Sequence, residues 1–245
     1  MRPPLLSVLF CALAAFFAVS SAADAKTLRF SGHDFIVRKA GTGGPGPNRW
    51  SPRNAWVDKR GRLHLKLSKR KGKWYAAEVY TADQLGFGRY TFQVKVRLGR
   101  LDRNVVVGLF TYPTADVGAD GTNEIDIEFA RWGNANADVG NFTVWPTDPA
   151  LGPQSHPFRI SPRVGRTTHS FEWNADAIAF RSRRGFRSNG GRTISSWTFS
   201  PTDPADRTSQ DPMPLHLNVW AFEGTPPADG EDVEIVIRKF TFTPQ

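Results

Sequence analysis

NEIDIEF, residues 123–129, sets acidic and apolar side chains in strict alternation. Glu124, Asp126 and Glu128 fall at every second position, and Ile125, Ile127 and Phe129 fill the positions between and after them. Successive side chains of a β-strand point to opposite faces, so this spacing predicts a strand with three carboxyls on one face and an apolar stripe on the other. The stripe suits a core between two sheets. The acidic face needs another reason, because like charges on one face repel and mixed polar residues would serve a solvated surface better.

The same period of two extends outward along the chain. RLHLKL (62–67) places Leu63, Leu65 and Leu67 on one face. AAEVYT, RYTFQVKVRL, NVVVGLFTY, NFTVW, HSFEW, AIAFRS, LHLNVWAF and VEIVIRKFTF are short, rich in β-branched and aromatic residues, and bounded by Gly, Pro, Asn and Asp clusters. The 22 glycines and 18 prolines supply turns for many hairpins. No segment sustains a helical period, and there is neither a fixed repeat nor a linker. The expectation is all-β: one twisted antiparallel β-sandwich domain over residues 26–245. SKRKGKW (68–74) reads as a solvated hairpin turn. GTGGPGPNRW (41–50) reads as a long surface loop carrying Trp50, without the Lys-Ser/Thr ending of a phosphate cradle.

Residues 1–25 stand apart. Arg2 precedes an apolar run from Leu5 to Val19, and Ala23-Asp24-Ala25 resembles a cleavage site, the pattern of a secretory signal peptide. The competing reading is a retained N-terminal anchor. The expected location is secreted, extracellular or periplasmic. Cys11 is the only cysteine, so the mature chain is expected to hold neither a disulfide nor a thiolate metal site. The formal charge is +9, which draws an exported protein toward anionic surfaces, an acidic cell-wall polymer among them. The basic residues are scattered rather than gathered on one motif, and three clustered carboxylates would repel a phosphate backbone, so no nucleic-acid partner is expected. Nor is a membrane partner, and the chain is expected to act as a monomer.

Paired carboxyls have a use in glycoside hydrolysis. The α-carbons of Glu124 and Glu128 would lie about 13 Å apart at roughly 3.3 Å per residue, and inward-leaning side chains could bring the carboxyls much closer. A retaining glycosidase needs about 5 to 5.5 Å between its nucleophile and its acid/base. Asp126 between them would oppose ionisation of all three, leaving one carboxyl protonated as an acid and another charged for attack. Spacing alone leaves open which glutamate does which.

NEIDIEF resembles the catalytic motif of glycoside hydrolase family 16, the lichenase and endo-β-glucanase group with a concanavalin-like jelly-roll fold. The resemblance implies Glu124 as nucleophile, Asp126 as its helper and Glu128 as acid/base. It also implies a cleft across the sandwich. AAEVYTADQLGFGRYTFQVKV (76–96) is similar to the family's glutamate strand and following turn, which makes Glu78 a substrate-binding position. LHLNVWAF (215–222) resembles the strand whose Asn and Trp line the cleft, here Asn218 and Trp220. HSFEWNADAIAF (169–180) is similar to the strand before the family's second hairpin. Two positions depart from lichenases. Thr122 stands where they carry Trp, and Tyr80 where they carry Arg, so the substrate is expected to differ from lichenan.

Eight tryptophans invite a sugar-stacking reading, although most aromatics of a sandwich are core. Trp173 shares the parity of Phe171 and is expected to be buried. Trp50, Trp74, Trp132 and Trp220 are the cleft candidates, with Trp132 as a replacement platform just past the motif. His216 has the parity of Asn218 and Trp220 and reads either as a cleft residue or, preferably, as a satisfied polar residue on the sheet. The five histidines form no ligand pair, so neither a metal nor another cofactor is expected. The resulting expectation is a retaining, endo-acting β-glycosidase on a β-glucan-like polysaccharide. A glucan transglycosylase using the same site, or a non-catalytic glycan-binding module, is the alternative.

Overall fold

Alternating apolar residues can be buried only where a second sheet covers them, and the computed structural model pairs two sheets in that way. It describes residues 25–186 and 190–245. The signal segment expected at residues 1–25 lies outside the described residues except for Ala25. The chain begins with Thr27–Phe30 (β1) and His33–Val37 (β2), followed by a short hairpin of Gly41–Gly43 (β3) and Asn48–Trp50 (β4). Ala55–Val57 (β5), Leu63–Arg70 (β6) and Lys73–Tyr75 (β7) come next, then the long strands Ala77–Leu85 (β8) and Gly88–Lys95 (β9). Val105–Thr111 (β10) leads to the acidic segment, Ile125–Phe129 (β11), and on to Gly140–Val144 (β12) and Gln154–Phe158 (β13). Thr167–Trp173 (β14), Ile178–Arg184 (β15) and Thr193–Phe199 (β16) form a meander, before Met213–Ala221 (β17) and Val233–Pro244 (β18).

The front sheet has the order β1-β2-β8-β17-β10-β11-β12-β13 and the back sheet β16-β15-β14-β9-β18-β6-β5, with β7 paired to β6. Every pairing within the two sheets is antiparallel. This is the all-β sandwich expected from the alternation.

One apolar core fills the space between the sheets. Phe142 of β12 stacks on Phe180 of β15 with ring centroids 5.0 Å apart, and Phe35 of β2 meets Phe240 of β18 edge-on at 6.4 Å. Ile125, Ile127 and Phe129 are fully buried, as their parity requires. Phe129 packs at 4.6 Å on His169, whose ring bonds Ser182 Oγ and Thr167 Oγ1 at 2.7 and 2.8 Å. Burial pushes the His169 imidazole down to about 3, so it fills the core as a neutral ring. Trp173 is buried as expected, its Nε1–H donating to the Ser209 carbonyl at 3.0 Å.

Two loop expectations had different outcomes. SKRKGKW is the β6–β7 hairpin, turned by Lys71 (φ 48°) and Gly72 (φ 76°) with Lys69, Lys71 and Lys73 exposed. GTGGPGPNRW is a hairpin rather than an irregular loop. Asn48 pins it to the end of β17: its side-chain amide donates to the Ala221 carbonyl at 2.9 Å and accepts from the Ala221 N–H at 3.0 Å. Trp50 therefore turns inward and is only 2% exposed.

Phe142→Ala leaves a cavity between the sheets and is expected to lower unfolding free energy by about 3–5 kcal/mol. Lys71→Ala, at an exposed turn, should shift it by no more than ~0.5 kcal/mol. Urea titration followed by tryptophan fluorescence measures both.

Candidate active site

The register of the front sheet assembles one surface from strands far apart in sequence. Glu128 lies opposite Gly108, Gly108 opposite Asn218, and Asn218 opposite Glu78, so a single row crosses β11, β10, β17 and β8. The adjacent row runs Asp126, Phe110, His216 and Tyr80. Gly108 is required by this packing, since a Cβ there would sit 2.7 Å from Asn218 Oδ1 and 3.0 Å from the Phe110 ring. Its N–H donates to the same Asn218 oxygen at 3.0 Å.

These rows form the floor of a groove of about 570 Å³. Glu124, Asp126 and Glu128 all line it, together with Glu78, Asn218, Trp132 and Trp220. Trp132 is 37% exposed, the only large apolar side chain so open among the described residues, and stands edge-on to Phe222 at 5.6 Å. Trp220 is nearly buried, showing little more than one side to the groove.

Trp50 and Trp74 do not line the groove. Trp50 is part of the core, because its hairpin is pinned to β17 and its Nε1–H is taken by the Gly43 carbonyl at 3.0 Å. Its outer face carries the Arg38 guanidinium at 4.0 Å, so it supports a groove residue from behind. Trp74 packs against the core edge from β7. His216 also differs from the preferred expectation. It lines the groove and is hydrogen-bonded there, its Nδ1 lying 3.0 Å from Glu78 Oε1.

Glu78 is held from two sides, by His216 and by Arg38, whose Nη1 donates to Oε2 at 2.9 Å. Burial alone would raise its pKa, but the His216 and Arg38 interactions outweigh it and hold the carboxyl below its ordinary value. Tyr80 stacks on His216 with centroids 5.0 Å apart and braces the imidazole. Thr122 is buried and spends its hydroxyl on the Ala119 carbonyl at 2.7 Å.

The three acids of the motif titrate upward. Burial pushes Glu124 up to about 8, with the neighbouring Asp126 side chain opposing the shift and the charges of Glu128, Asp120 and Glu78 adding to it. Burial, then the neighbouring Glu124 charge, pushes Asp126 well above the carboxylate range. Burial, then Asp126, does the same to Glu128. Asp126 is 1% exposed; its Oδ2 accepts from Trp145 Nε1–H at 2.8 Å, while Oδ1 has no protein partner at hydrogen-bonding distance. Asp126 is thus fixed by Trp145 between the two glutamates, where its charge and that of Glu124 oppose each other.

Several groove residues escaped the sequence reading: Arg38, Pro45, Phe110, Tyr112, Asp120 and Trp145. Phe110 and Tyr112 were within reach, since they share the parity of Gly108 on β10 and oppose the buried Val107 and Leu109. Trp145 was not. It reaches Asp126 only because β12 pairs with β11 in the register Ile125 to Val144, and its N–H then bonds the Glu124 carbonyl at 2.8 Å. Asp120 arrives on the 112–124 loop and accepts from the Tyr112 hydroxyl. Among the described residues no group of three or more His, Cys, Asp or Glu side chains is arranged to hold a metal ion.

No family model matches the chain, and no curated protein matches it in sequence. Solved structures match it in shape. A Bacillus licheniformis β-glucanase superposes with a TM-score of 0.62 at 18% identity, covering 86% of this chain and 92% of that one. A glycoside hydrolase family 16 endo-glucanase from Bacteroides ovatus gives 0.64 at 14% identity over 85% and 94% of the two chains. A Mycobacterium tuberculosis protein described as an immunostimulatory antigen and pseudo β-1,3-glucanase gives 0.65 at 17% identity over 86% and 91%. At such identities the likeness is one of fold. The jelly roll implied by the motif resemblance is the fold observed.

Because the folded state keeps protons on these carboxyls to a higher pH than the unfolded chain does, folding binds protons. Stability therefore falls as pH rises from the unfolded carboxylate range, about 4.3 for Glu, toward about 8 for Glu124. Glu124→Gln removes one such group. At pH 8 it should be more stable than the parent by about 1–3 kcal/mol, and at pH 4 nearly equal to it. Paired urea titrations at the two pH values read the difference.

Proposed function

We propose that this chain is an exported glycoside hydrolase that cuts a neutral, β-glucan-like polysaccharide with retention of anomeric configuration. The observation that carries the reading is the triplet itself: Glu124 and Glu128 flank a protonated Asp126 on the floor of an open groove whose walls bear Trp132, Trp145 and Trp220. Apolar faces of sugar rings stack on such walls, and the floor carboxyls lie where a scissile bond would rest.

The roles are those that the motif resemblance implies: Glu124 is the nucleophile and Glu128 the acid. Burial raises the Glu128 carboxyl well above its ordinary value, which suits a group that must hold a proton to give. The Glu124 carboxylate attacks the anomeric carbon while Glu128 gives its proton to the glycosidic oxygen, and the leaving sugar departs as an alcohol. A glycosyl ester on Glu124 remains. Glu128, now a carboxylate, takes a proton from an incoming water, whose oxygen displaces Glu124 from the anomeric carbon. Two inversions restore the starting configuration. Asp126 is a positioning residue, anchored by Trp145 beside the nucleophile.

The groove's charge narrows the substrate. Glu78, Asp120, Glu124, Asp126 and Glu128 line it against Arg38, which is itself paired with Glu78. A polyanion held beside these closely set acids would oppose the ionisation that Glu124 needs for attack, so the groove favours an uncharged glycan. Tyr80 and Thr122 alter two of the positions by which lichenases are built, which supports a glucan other than lichenan.

A panel of β-glucans and galactans assayed for new reducing ends tests the proposal. The parent should cut a neutral member of the panel. Glu124→Gln and Glu128→Gln should each lose about 10³-fold or more in kcat while still binding it. Parent-like turnover by either variant would remove the catalytic reading.

A further inference from the structure

The back sheet presents its outer face away from the groove, and that face is built differently. Its middle row runs Thr91, Ser170, Arg181 and Ser196 across β9, β14, β15 and β16. A flanking row runs Arg89, Glu172, Ala179 and Thr198, and Thr168 lies opposite Arg183 on the other side. Together they line a shallow trough of about 250 Å³.

Three features of the trough point to one kind of ligand. First, its charge is positive: Arg89, Arg181 and Arg183 stand against the single Glu172, which Arg89 already engages at 2.5 Å. Arg181 is exposed and has no partner among the described residues. Second, the hydroxyls of Thr91, Ser170, Ser196 and Thr198 make no side-chain hydrogen bond among the described residues, so each is open as donor and acceptor. Third, these groups repeat at the inter-strand spacing of about 4.8 Å, so the middle row covers roughly 14 Å, the length of a short run of sugar residues.

We propose that this trough is a second glycan site, specific for an acidic polysaccharide of the polyuronate type. A uronate carboxylate takes the Arg181 guanidinium, which offers two parallel N–H donors, and the sugar hydroxyls take the Ser and Thr rows. The groove on the opposite sheet is less suited to the same polymer, because five acidic side chains line it against Arg38, which Glu78 already pairs. Nucleic acid would match the charge but lacks a stacking platform here, since Phe171 and Phe180 turn into the core. An anionic membrane would match it too, but the only large exposed apolar side chain among the described residues, Trp132, belongs to the front sheet's groove. The two sites face opposite ways, so a protein held by its back sheet on an acidic wall polymer leaves its groove free for a neutral glycan. The inference stands on the back sheet alone and is independent of whether the groove catalyses.

Native affinity electrophoresis at about 0.15 M salt, the ionic strength that screens loose surface attraction, tests it with the intact protein. Polygalacturonate is the probe, and its fully methyl-esterified form, double-stranded DNA and phosphatidylglycerol vesicles are the comparisons. The parent should be retarded by polygalacturonate and little by the other three. Arg181→Glu should weaken that retardation about tenfold, Arg181→Lys less, and Glu124→Gln not at all. Arg181 is an exposed strand residue, and unchanged urea midpoints verify that its variants fold. The proposal is overturned if the parent ignores polygalacturonate, if Arg181→Glu binds like the parent, or if DNA or vesicles bind as tightly as the uronate polymer.

Discussion

The pleat of β11 sends Ile125, Ile127 and Phe129 into the core, and that burial forces Asp126 and Glu128 onto the opposite face. The apolar side is covered by the back sheet. The acidic side is not left to water either, because Phe110, Trp145 and their neighbours enclose it. Like charges are thus held together in a poorly solvated place, which costs free energy unless protons stay bound. The raised titration of all three carboxyls is the chemical outcome of one strand having both faces occupied.

The neighbouring strands tune that outcome. Trp145 gives Asp126 one fixed donor and holds it between Glu124 and Glu128. Gly108 keeps the space beside Glu128 clear of any side chain and lets Asn218 approach. Further along the row, Arg38 and His216 hold Glu78 ionised by direct pairing, although it is itself buried. Carboxyls on the same floor therefore differ in protonation because their partners differ: a cationic clamp in one case, other acids in the other.

The two sheets divide the electrostatics of a chain whose formal charge is +9. Five acidic side chains line the groove of the front face, while three arginines and one glutamate line the trough of the back face. A single net charge describes neither surface. The two sides of the sandwich thus differ in the sign of the side chains that line them, and the aromatic walls belong to the groove.

Local pattern determined the strands, the buried stripe on β11, the inward Trp173 and the turn at Lys71–Gly72, because each depends on period two or on φ preferences within a few residues. The same parity placed Glu124, Asp126 and Glu128 on one face, and the family motif marked Glu78, Asn218 and Trp220, all of which line the groove. Only the tertiary structure decided what stood opposite them. Trp50 left the groove because Asn48 ties its hairpin to Ala221, a partner far away in the chain. Trp145, Arg38 and Asp120 entered it through strand register and loop course, which no local period encodes. A strand's own residues decide which way its side chains point, but the pairing of distant strands decides which side chains meet, and it is those meetings that set burial, hydrogen bonding and protonation.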